Sequence, residues 1–183
     1  MCNELSILNW IQTLHNLILN QIMIFITRLG NAGAIWVLLT LVLIVLPKTR
    51  KSGIIMAFAL VVDVMLCDMI LKNIIGRIRP YDINTGVHLL ISKPLGWSFP
   101  SGHTSASFAS VTALYLAGEK KLWKPALVLG VLIAISRLYL YVHYPTDILG
   151  GIIVGIVSGY IGYKASIKLY PQQYAHYFTG ASK

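Results

Sequence analysis

The chain has 183 residues, of which 56% are hydrophobic and only 11% are charged, and its mean hydropathy is +0.71. This composition excludes an ordinary soluble globular domain and predicts a protein that resides in a lipid bilayer. Lysine and arginine outnumber aspartate and glutamate by 15 to 6. No basic stripe alternates with stacking aromatic residues, so we expect no nucleic-acid partner. In a membrane protein such an excess reflects the orientation of the loops.

Apolar periodicity predicts an all-α protein, organised as one integral membrane domain over residues 1–183. Residues 4–15 have apolar and polar positions at helical spacing, which is typical of a short helix lying along the membrane interface. Six apolar segments follow and are predicted to cross the bilayer: 16–29, 33–47, 53–75, 102–118, 123–143 and 146–168. The third and fourth are joined by a polar loop, 76–100, and a loop of that length in a compact bundle is usually functional.

The basic residues predict how these spans are oriented. One side has nine: Lys48, Arg50, Lys51, Lys120, Lys121, Lys124, Lys164, Lys168 and Lys183. The other side has six: Arg28, Lys72, Arg77, Arg79, Lys93 and Arg137. The positive-inside rule therefore places both termini in the cytoplasm and the loop 76–100 outside. If residues 16–29 lie on the surface instead of crossing, the N-terminus moves outside and the rest keeps its orientation.

The stretch Pro100-Ser101-Gly102-His103 opens the fourth predicted span. A helix N-terminus leaves backbone N–H groups unpaired and carries a partial positive charge, so it favours a bound anion. Ser101 can cap this helix, and Gly102 lets the backbone approach the anion closely. His103 is then held beside whatever the helix end binds. Taken by itself, the stretch favours a serine N-cap with a bystander histidine, and only the other motifs favour an anion site.

A second pattern, Ser136-Arg137 followed by His143 and Asp147, lies where the fifth span ends and the sixth begins. A carboxylate bonded to one imidazole nitrogen fixes the tautomer and leaves the other nitrogen free to attack. This makes His143 the better nucleophile and His103 the better general acid. A simple hydrogen bond between His143 and Asp147 at a helix end explains the spacing equally well.

Three cations, Lys72, Arg79 and Arg137, lie at the ends of apolar helices on the same predicted side as the two histidines. A charge in such a place is unfavourable unless it reaches the interface or has an anionic partner. The cations therefore either mark topology or form an oxyanion site. Asp68, four residues before Lys72, is placed to position it. Asp63 is expected to face a polar bundle interior.

The three motifs are Lys72-x6-Arg79-Pro80, Pro100-Ser101-Gly102-His103 and Ser136-Arg137-x5-His143-x3-Asp147. Together they resemble the three-part signature of the type 2 phosphatidate phosphatase, or lipid phosphate phosphatase, superfamily. The motifs occupy residues 72–80, 100–103 and 136–147. The resemblance implies that His143 forms a phosphohistidine, Asp147 orients it and His103 protonates the leaving group. It also implies that the phosphoryl oxygens are held by Lys72, Arg79, Ser101, Gly102 and Arg137. Ser136 and Asp68 are weaker, supporting candidates.

The resemblance predicts an integral membrane enzyme that removes a phosphate monoester or diphosphate group from a lipid without a metal or cofactor. Undecaprenyl diphosphate, phosphatidate and phosphatidylglycerol phosphate are the expected substrates, with a slight preference for a bacterial polyprenyl diphosphate. The site is expected on the extracytoplasmic face of the plasma membrane, and the lipid and the bilayer are the only partners predicted. Two alternatives are a vanadate-dependent oxidase of the same superfamily and a lipid carrier or flippase. A carrier needs the cations but not His143 or Asp147.

Overall fold

The computed structural model describes residues 2–169, and the regular structure in this range is entirely helical. The α-helices are α1 Cys2–Gln12, α2 Leu17–Leu29, α3 Ala34–Val45, α4 Arg50–Asp63, α5 Lys72–Ile75, α6 Pro80–Ile83, α7 Gly102–Leu116, α8 Trp123–Tyr139 and α9 Pro145–Leu169. A 3-10 turn, Asn31–Gly33, precedes α3, and a π-helix, Val64–Leu71, joins α4 to α5. The all-α prediction is thus confirmed for this range. Lys183, counted in the topology prediction, lies outside the described residues.

Length and hydropathy identify fewer spans than the sequence predicted. Within the described residues, two helical segments are long and apolar enough to cross a membrane, Arg50–Ile83 and Pro145–Leu169. The pair Leu17–Leu29 and Asn31–Val45 qualifies only when it is joined across a bend of 48°. Helices α7 and α8 have 15 and 17 residues, which is short for a bilayer core of about 30 Å. By this criterion the six-span count is not confirmed.

Among the described helices, α7 and α9 make the most extensive contact, and glycines allow their approach. Gly151, Gly155 and Gly159 place one glycine per turn on the face of α9 that packs on α7. A Cβ atom on Gly151 would lie 2.8 Å from the carbonyl oxygen of Ser101. The backbone N–H of Ser101 also donates to the carbonyl of Asp147 at 3.1 Å. This packing therefore brings the second and third motifs side by side.

The π-helix lies directly before the first motif. In it, the backbone N–H of Lys72 donates to the carbonyl of Cys67, five residues earlier. Such a widened turn rotates all following residues relative to a regular helix, and π-helical turns are frequent at functional sites. Its effect here is to present Lys72 and Asp68 together toward the start of α7, where a Cβ atom on Gly102 would lie 3.2 Å from Lys72 Nζ.

Helix α8 is shorter than the predicted span 123–143. It ends at Tyr139, and residues 140–144 form a loop in which Tyr141 has a left-handed φ of 61°. Proline disfavours a helical conformation in the residue before it but fits the first helical position, so Pro145 separates the two helices and opens α9. As a result His143 projects from a loop between two helices.

The N-terminal helices lie at the end of the bundle where this loop is found. Gln12 of α1 donates to the carbonyl of Tyr139 at 3.0 Å, and the Tyr139 hydroxyl donates to Asn20 of α2 at 2.6 Å. At the other end of α2, Thr27 accepts from Arg137 at 2.5 Å. Both ends of α2 therefore contact residues within one helical turn of each other on α8.

These contacts place α2 beside residues of the three motifs. The contact residues Asn20 and Thr27 are seven residues apart, which is about 10 Å along a helix. Helix α2 also has exposed apolar side chains, Leu17 by 84% and Phe25 by 63%. An exposed apolar face of this kind fits an interfacial helix as well as a membrane span, so the span 16–29 and the cytoplasmic N-terminus stay predictions.

Candidate functional site

A cavity of about 420 Å³ opens at this end of the bundle and contains residues of all three motifs. The predicted site residues in its wall are Asp68, Lys72, Arg79, Gly102, His103, Arg137 and His143. Asp63 also lines it, and this buried carboxylate accepts a hydrogen bond from Ser105. The cavity thus combines three cations, two histidines and two carboxylates from distant parts of the chain.

His143 and Asp147 form a buried pair behind the cavity. His143 Nδ1 lies 3.4 Å from Asp147 Oδ2, and the two residues are 2% and 0% exposed. Because a carboxylate oxygen only accepts, Nδ1 carries the imidazole proton. The same Oδ2 atom accepts from the Ser98 hydroxyl at 2.5 Å and from the backbone N–H of Tyr144 at 2.8 Å. Asp147 is therefore fixed in place and holds the tautomer of His143 that leaves Nε2 unprotonated.

The electrostatic surroundings keep His143 neutral. Burial lowers the pKa of His143 to about 3, and the cations Arg137 and Arg79 act in the same direction, while Asp147 opposes them. At neutral pH the imidazole then has a lone pair on Nε2, the atom that faces Arg79 Nη1 at 3.3 Å. A neutral, oriented imidazole is the form that can attack an electrophilic phosphorus.

Arg79 holds the loops around the cavity. Its Nε donates to the Gly96 carbonyl at 2.9 Å and its Nη2 to the Leu95 carbonyl at 3.2 Å. Its Nη1 donates to the Val142 carbonyl at 2.9 Å as well as facing His143. Most of its N–H groups are thus occupied by protein atoms, and burial lowers its pKa from the usual value. An anion entering the cavity would share Arg79 with these carbonyls.

Arg137 has the most unused hydrogen-bonding capacity of the three cations. It is 2% exposed and donates through Nη1 to Thr27, while its buried Nε has no hydrogen-bond partner. A guanidinium group has five N–H donors and tolerates burial only with partners. An unpartnered donor in a cavity wall therefore favours a bound oxyanion.

Lys72 and Asp68 form an ion pair beside the N-terminus of α7. Lys72 Nζ lies 2.5 Å from Asp68 Oδ1, as the predicted supporting role of Asp68 requires. Gly102 lies against this pair, since a Cβ atom there would be 3.3 Å from Asp68 Oδ1. The absence of a side chain at Gly102 keeps Lys72 and the start of α7 within reach of the same ligand.

The start of α7 differs from the sequence prediction in one respect. Ser101 occupies the N-cap position but does not cap the helix, because its hydroxyl accepts a hydrogen bond from Thr104 at 3.0 Å. The first backbone N–H groups of α7 are therefore not capped by that side chain. His103 Nε2 lies 3.1 Å from Asn31 Oδ1, an oxygen that only accepts, so Nε2 of His103 carries a proton.

Ser136 lies apart from this arrangement. It is fully buried, and its hydroxyl donates to the carbonyl of Ile133 at 2.6 Å in its own helix. The Ser136 hydroxyl thus forms no hydrogen bond with His143 or Asp147.

Two residues that the three motifs do not specify, Arg77 and Glu4, also contact the site and were not predicted from the sequence. Arg77 Nη1 donates to Asp147 Oδ1 at 2.6 Å, and its Nη2 donates to Glu4 Oε2 at 2.6 Å. Glu4 also accepts from the side chain and backbone of Thr146 at 2.7 and 3.1 Å. Burial alone would raise the pKa of Glu4, but these hydrogen bonds outweigh it and hold the pKa below its usual value. The spacing of Arg77, two residues before Arg79, is the one signal that could have identified it.

This arrangement suits a tetrahedral oxyanion. Three cations and a helix N-terminus can hold its oxygens, and a neutral imidazole faces the same space. In the described range 2–169, no three His, Cys, Asp or Glu side chains are placed to hold a metal ion.

A family model described as the PAP2 superfamily matches residues 52–170, which include all three motifs. The chain belongs to the PAP2 superfamily. This confirms the resemblance that the motifs indicated.

Two PAP2-type relatives are enzymes acting on a prenyl diphosphate by name. Undecaprenyl-diphosphatase of Sulfolobus acidocaldarius is 31% identical over 137 residues, which cover 75% of this chain and 66% of that protein. Undecaprenyl-diphosphatase BcrC of Bacillus subtilis is 32% identical over 161 residues, covering 86% of this chain and 80% of that protein. The chain thus spans about two thirds of the first relative and more of the second.

The PAP2 fold is also shared with a solved structure. The PAP2 type phosphatidylglycerolphosphate phosphatase from Bacillus subtilis matches with a TM-score of 0.72 at 28% identity. The match covers 92% of this chain and 86% of that one. The chain is therefore a helical membrane protein of the PAP2 phosphatase fold.

Proposed function

We propose that this PAP2 protein is a lipid phosphatase that works through a phosphohistidine at His143. The observation that carries the proposal is the buried His143–Asp147 pair, with Nε2 unprotonated and facing the three-cation cavity. The relatives support a lipid substrate, since two are named as undecaprenyl-diphosphatases and the solved structure is named as a phosphatidylglycerolphosphate phosphatase.

The proposed reaction has two steps. In the first, His143 Nε2 attacks phosphorus, the bond from phosphorus to the leaving oxygen breaks, and His103, as an imidazolium protonated at both ring nitrogens, donates one proton to that oxygen and becomes neutral. In the second, His103 takes a proton from water, whose oxygen attacks phosphorus and breaks the N–P bond, releasing inorganic phosphate. Asp147 stabilises the positive charge on His143 throughout. The groups proposed to hold the phosphoryl oxygens are Lys72, Arg79, Arg137 and the helix start at Ser101 and Gly102.

A panel assay tests this proposal. Purified protein in detergent would be given undecaprenyl diphosphate, phosphatidate and phosphatidylglycerol phosphate, with inorganic phosphate release as the readout. We expect release from at least one lipid. A protein that binds these lipids but releases no phosphate from any of them would be a carrier instead, and one that oxidises halide with vanadate would be the oxidase.

Activity is expected to survive excess EDTA and to be blocked by vanadate. The cations Lys72, Arg79 and Arg137 supply positive charge of the kind that Mg²⁺ contributes in other phosphoryl-transfer sites. Vanadate can take up a five-coordinate geometry that resembles the transition state. Phosphate release after EDTA dialysis, with and without added Mg²⁺, is the measurement. Loss of activity in EDTA that Mg²⁺ restores would contradict this mechanism.

We further propose one membrane domain in which α3, α4–α5, α7, α8 and α9 cross the bilayer and α1–α2 lie on the surface. No Lys or Arg precedes Arg28, so moving the N-terminus outside leaves the count of nine against six unchanged. The site then faces the extracytoplasmic space, and the predicted cytoplasmic position of the C-terminus is retained. The short helices would be accommodated by local thinning of the bilayer.

Cysteine labelling on intact cells tests this topology. Single cysteines replacing Thr13, after α1, and Thr85, in the loop 76–100, should both react with an impermeant maleimide. A cysteine replacing Lys121, between α7 and α8, should react only after the cells are lysed. The background lacks Cys2 and Cys67. Labelling of Lys121→Cys without lysis would show that the orientation is the reverse of the one proposed. Protection of Thr13→Cys would show that α2 crosses the bilayer.

A further inference from the structure

A second cavity of about 410 Å³ adjoins the first at the end of α2. Three residues, Pro94, His103 and Arg137, line both cavities and form their common wall. The remaining lining comes from the end of α2, the turn after it and the loop before α7: Thr27, Arg28, Asn31, Leu89, Leu90, Ile91 and Ser92. Apart from His103 and Arg137, none of these residues belongs to the three motifs.

The two cavities differ in charge. The first contains Asp63 and Asp68 among its cations. The second is lined by Arg28 and Arg137, and no Asp or Glu is among its lining residues. The buried Nε of Arg137 has no partner. This lining fits a second anionic group of phosphate type, because it offers two arginines and no carboxylate. The hydroxyls of Thr27 and Ser92 add further hydrogen-bonding groups.

The common wall indicates which part of a substrate would enter this second cavity. His103 Nε2 carries its proton toward Asn31, a residue that lines the second cavity but not the first. In the proposed reaction His103 protonates the leaving oxygen, which lies opposite the attacking His143. The leaving group is therefore directed into the second cavity.

We infer that the second cavity holds the leaving phosphoryl group of a lipid diphosphate, with Arg28 as its specificity-determining residue. This inference rests on the proposed function, because it assigns the leaving-group side of that reaction. Attack by His143 on the terminal phosphorus breaks its bond to the bridging oxygen. That oxygen leaves with the electron pair as part of the lipid monophosphate, and His103 supplies a proton. Arg28 and Arg137 stabilise the resulting anion.

A neutral leaving group gives Arg28 no role. When a lipid monophosphate is hydrolysed, the group that leaves is an uncharged alcohol, and Arg28, which lines only the second cavity, would have no anion to bind. The lining of the second cavity thus favours a diphosphate over a monophosphate.

A matched pair of substrates tests the inference. Farnesyl diphosphate and farnesyl monophosphate have the same tail and differ only in the second phosphoryl group. Wild-type protein is expected to have the higher kcat/KM for the diphosphate. Arg28→Ala should lower that value by about tenfold or more and change the value for the monophosphate less than about threefold. Arg28→Lys should restore part of the loss. Arg28 is exposed, so these variants should fold.

Lys93→Ala provides the control. Lys93 lies in the same loop region, but it pairs with Asp82 at 3.8 Å and lines neither cavity. We expect it to leave the ratio of the two kcat/KM values unchanged. Equal losses on both substrates, no loss on the diphosphate, or the same selective loss in Lys93→Ala would overturn the inference.

Two further outcomes distinguish failure of the proposed function from failure of the diphosphate assignment. If wild-type protein hydrolyses neither farnesyl substrate nor any lipid of the panel, the proposed function fails rather than this inference alone. If Arg28→Ala selectively lowers only hydrolysis of phosphatidylglycerol phosphate, whose second phosphoryl group is a glycerol away, the diphosphate assignment is overturned.

Discussion

His143→Ala is expected to abolish phosphate release, by about 10⁴-fold or more, while the protein still folds and inserts. Among residues 2–169, His143 is the one histidine that is both paired with a buried carboxylate and directed at the cavity, and the variant loses it. The nearest hydroxyl in that network, on Ser98, already donates to Asp147 and is not positioned as a substitute. Arg79 retains its three carbonyl partners when the imidazole is removed, so the loops should stay in place.

Phosphate release by purified protein measures this effect, and elution from a sizing column shows whether the variant is folded. Rapid acid quench with labelled substrate should trap a phosphoenzyme in wild type and none in His143→Ala. His88→Ala is the matched control, because His88 is an exposed histidine of the loop 76–100 that lines neither cavity. A folded His143→Ala protein with more than a few per cent of wild-type turnover would remove His143 as the nucleophile.

The sequence predicted the composition of the site because each motif lies at a helix end. Helix ends on one side of a bundle meet, so Lys72, His103 and Arg137 could be assigned to one cavity without knowing how the helices pack. The same reasoning does not give distances. The π-helix before Lys72 and the loop that carries His143 both depend on packing, and neither leaves a periodic signal in the sequence.

The position of α1 and α2 could not be decided from hydropathy. Residues 16–29 are apolar enough to cross a bilayer, and an exposed apolar face looks the same whether it meets lipid as a span or as an interfacial helix. A surface position is favoured by polar side chains of the two N-terminal helices and the turn between them: Asn9, Gln12, His15 and Asn20. Each of them bonds to Tyr139 or Tyr141, and these contacts cannot be predicted until the loop after α8 is located.

Arg77 was missed because its partner is far away in sequence. A basic residue in a polar loop is usually solvated, and nothing in the spacing shows that Arg77 lies between Asp147 and Glu4. The structure makes it the link between the N-terminal helix and the carboxylate that orients His143. Its guanidinium also stacks on the ring of Tyr144, 3.9 Å from the ring centre. Arg77 is therefore a positioning residue that acts through Asp147.

Arg77→Ala is expected to lower kcat by about 10- to 100-fold with little change in KM. Hydrogen bonds to a charged group are worth about 1.5–3 kcal/mol, and each 1.36 kcal/mol is about tenfold in rate. KM should change little because Arg77 lines neither the cavity of the motifs nor the adjoining one. Glu4→Gln, which weakens the hold on Arg77 without removing it, should have a smaller effect in the same direction.

The pH profile separates this positioning role from a merely structural one. In wild type, His143 stays neutral down to a low pH because burial and the neighbouring cations lower its pKa. Without Arg77, the Asp147 carboxylate faces His143 with its charge uncompensated, and this raises the pKa of His143. Since the neutral imidazole is the nucleophile, activity then falls at a higher pH as the solution is acidified. We expect the acid limb of the kcat profile to move upward in Arg77→Ala and to stay unmoved in Asp82→Asn, an exposed acid of the same region. A variant that loses activity equally at every pH would show that Arg77 supports the fold and does not tune the pair.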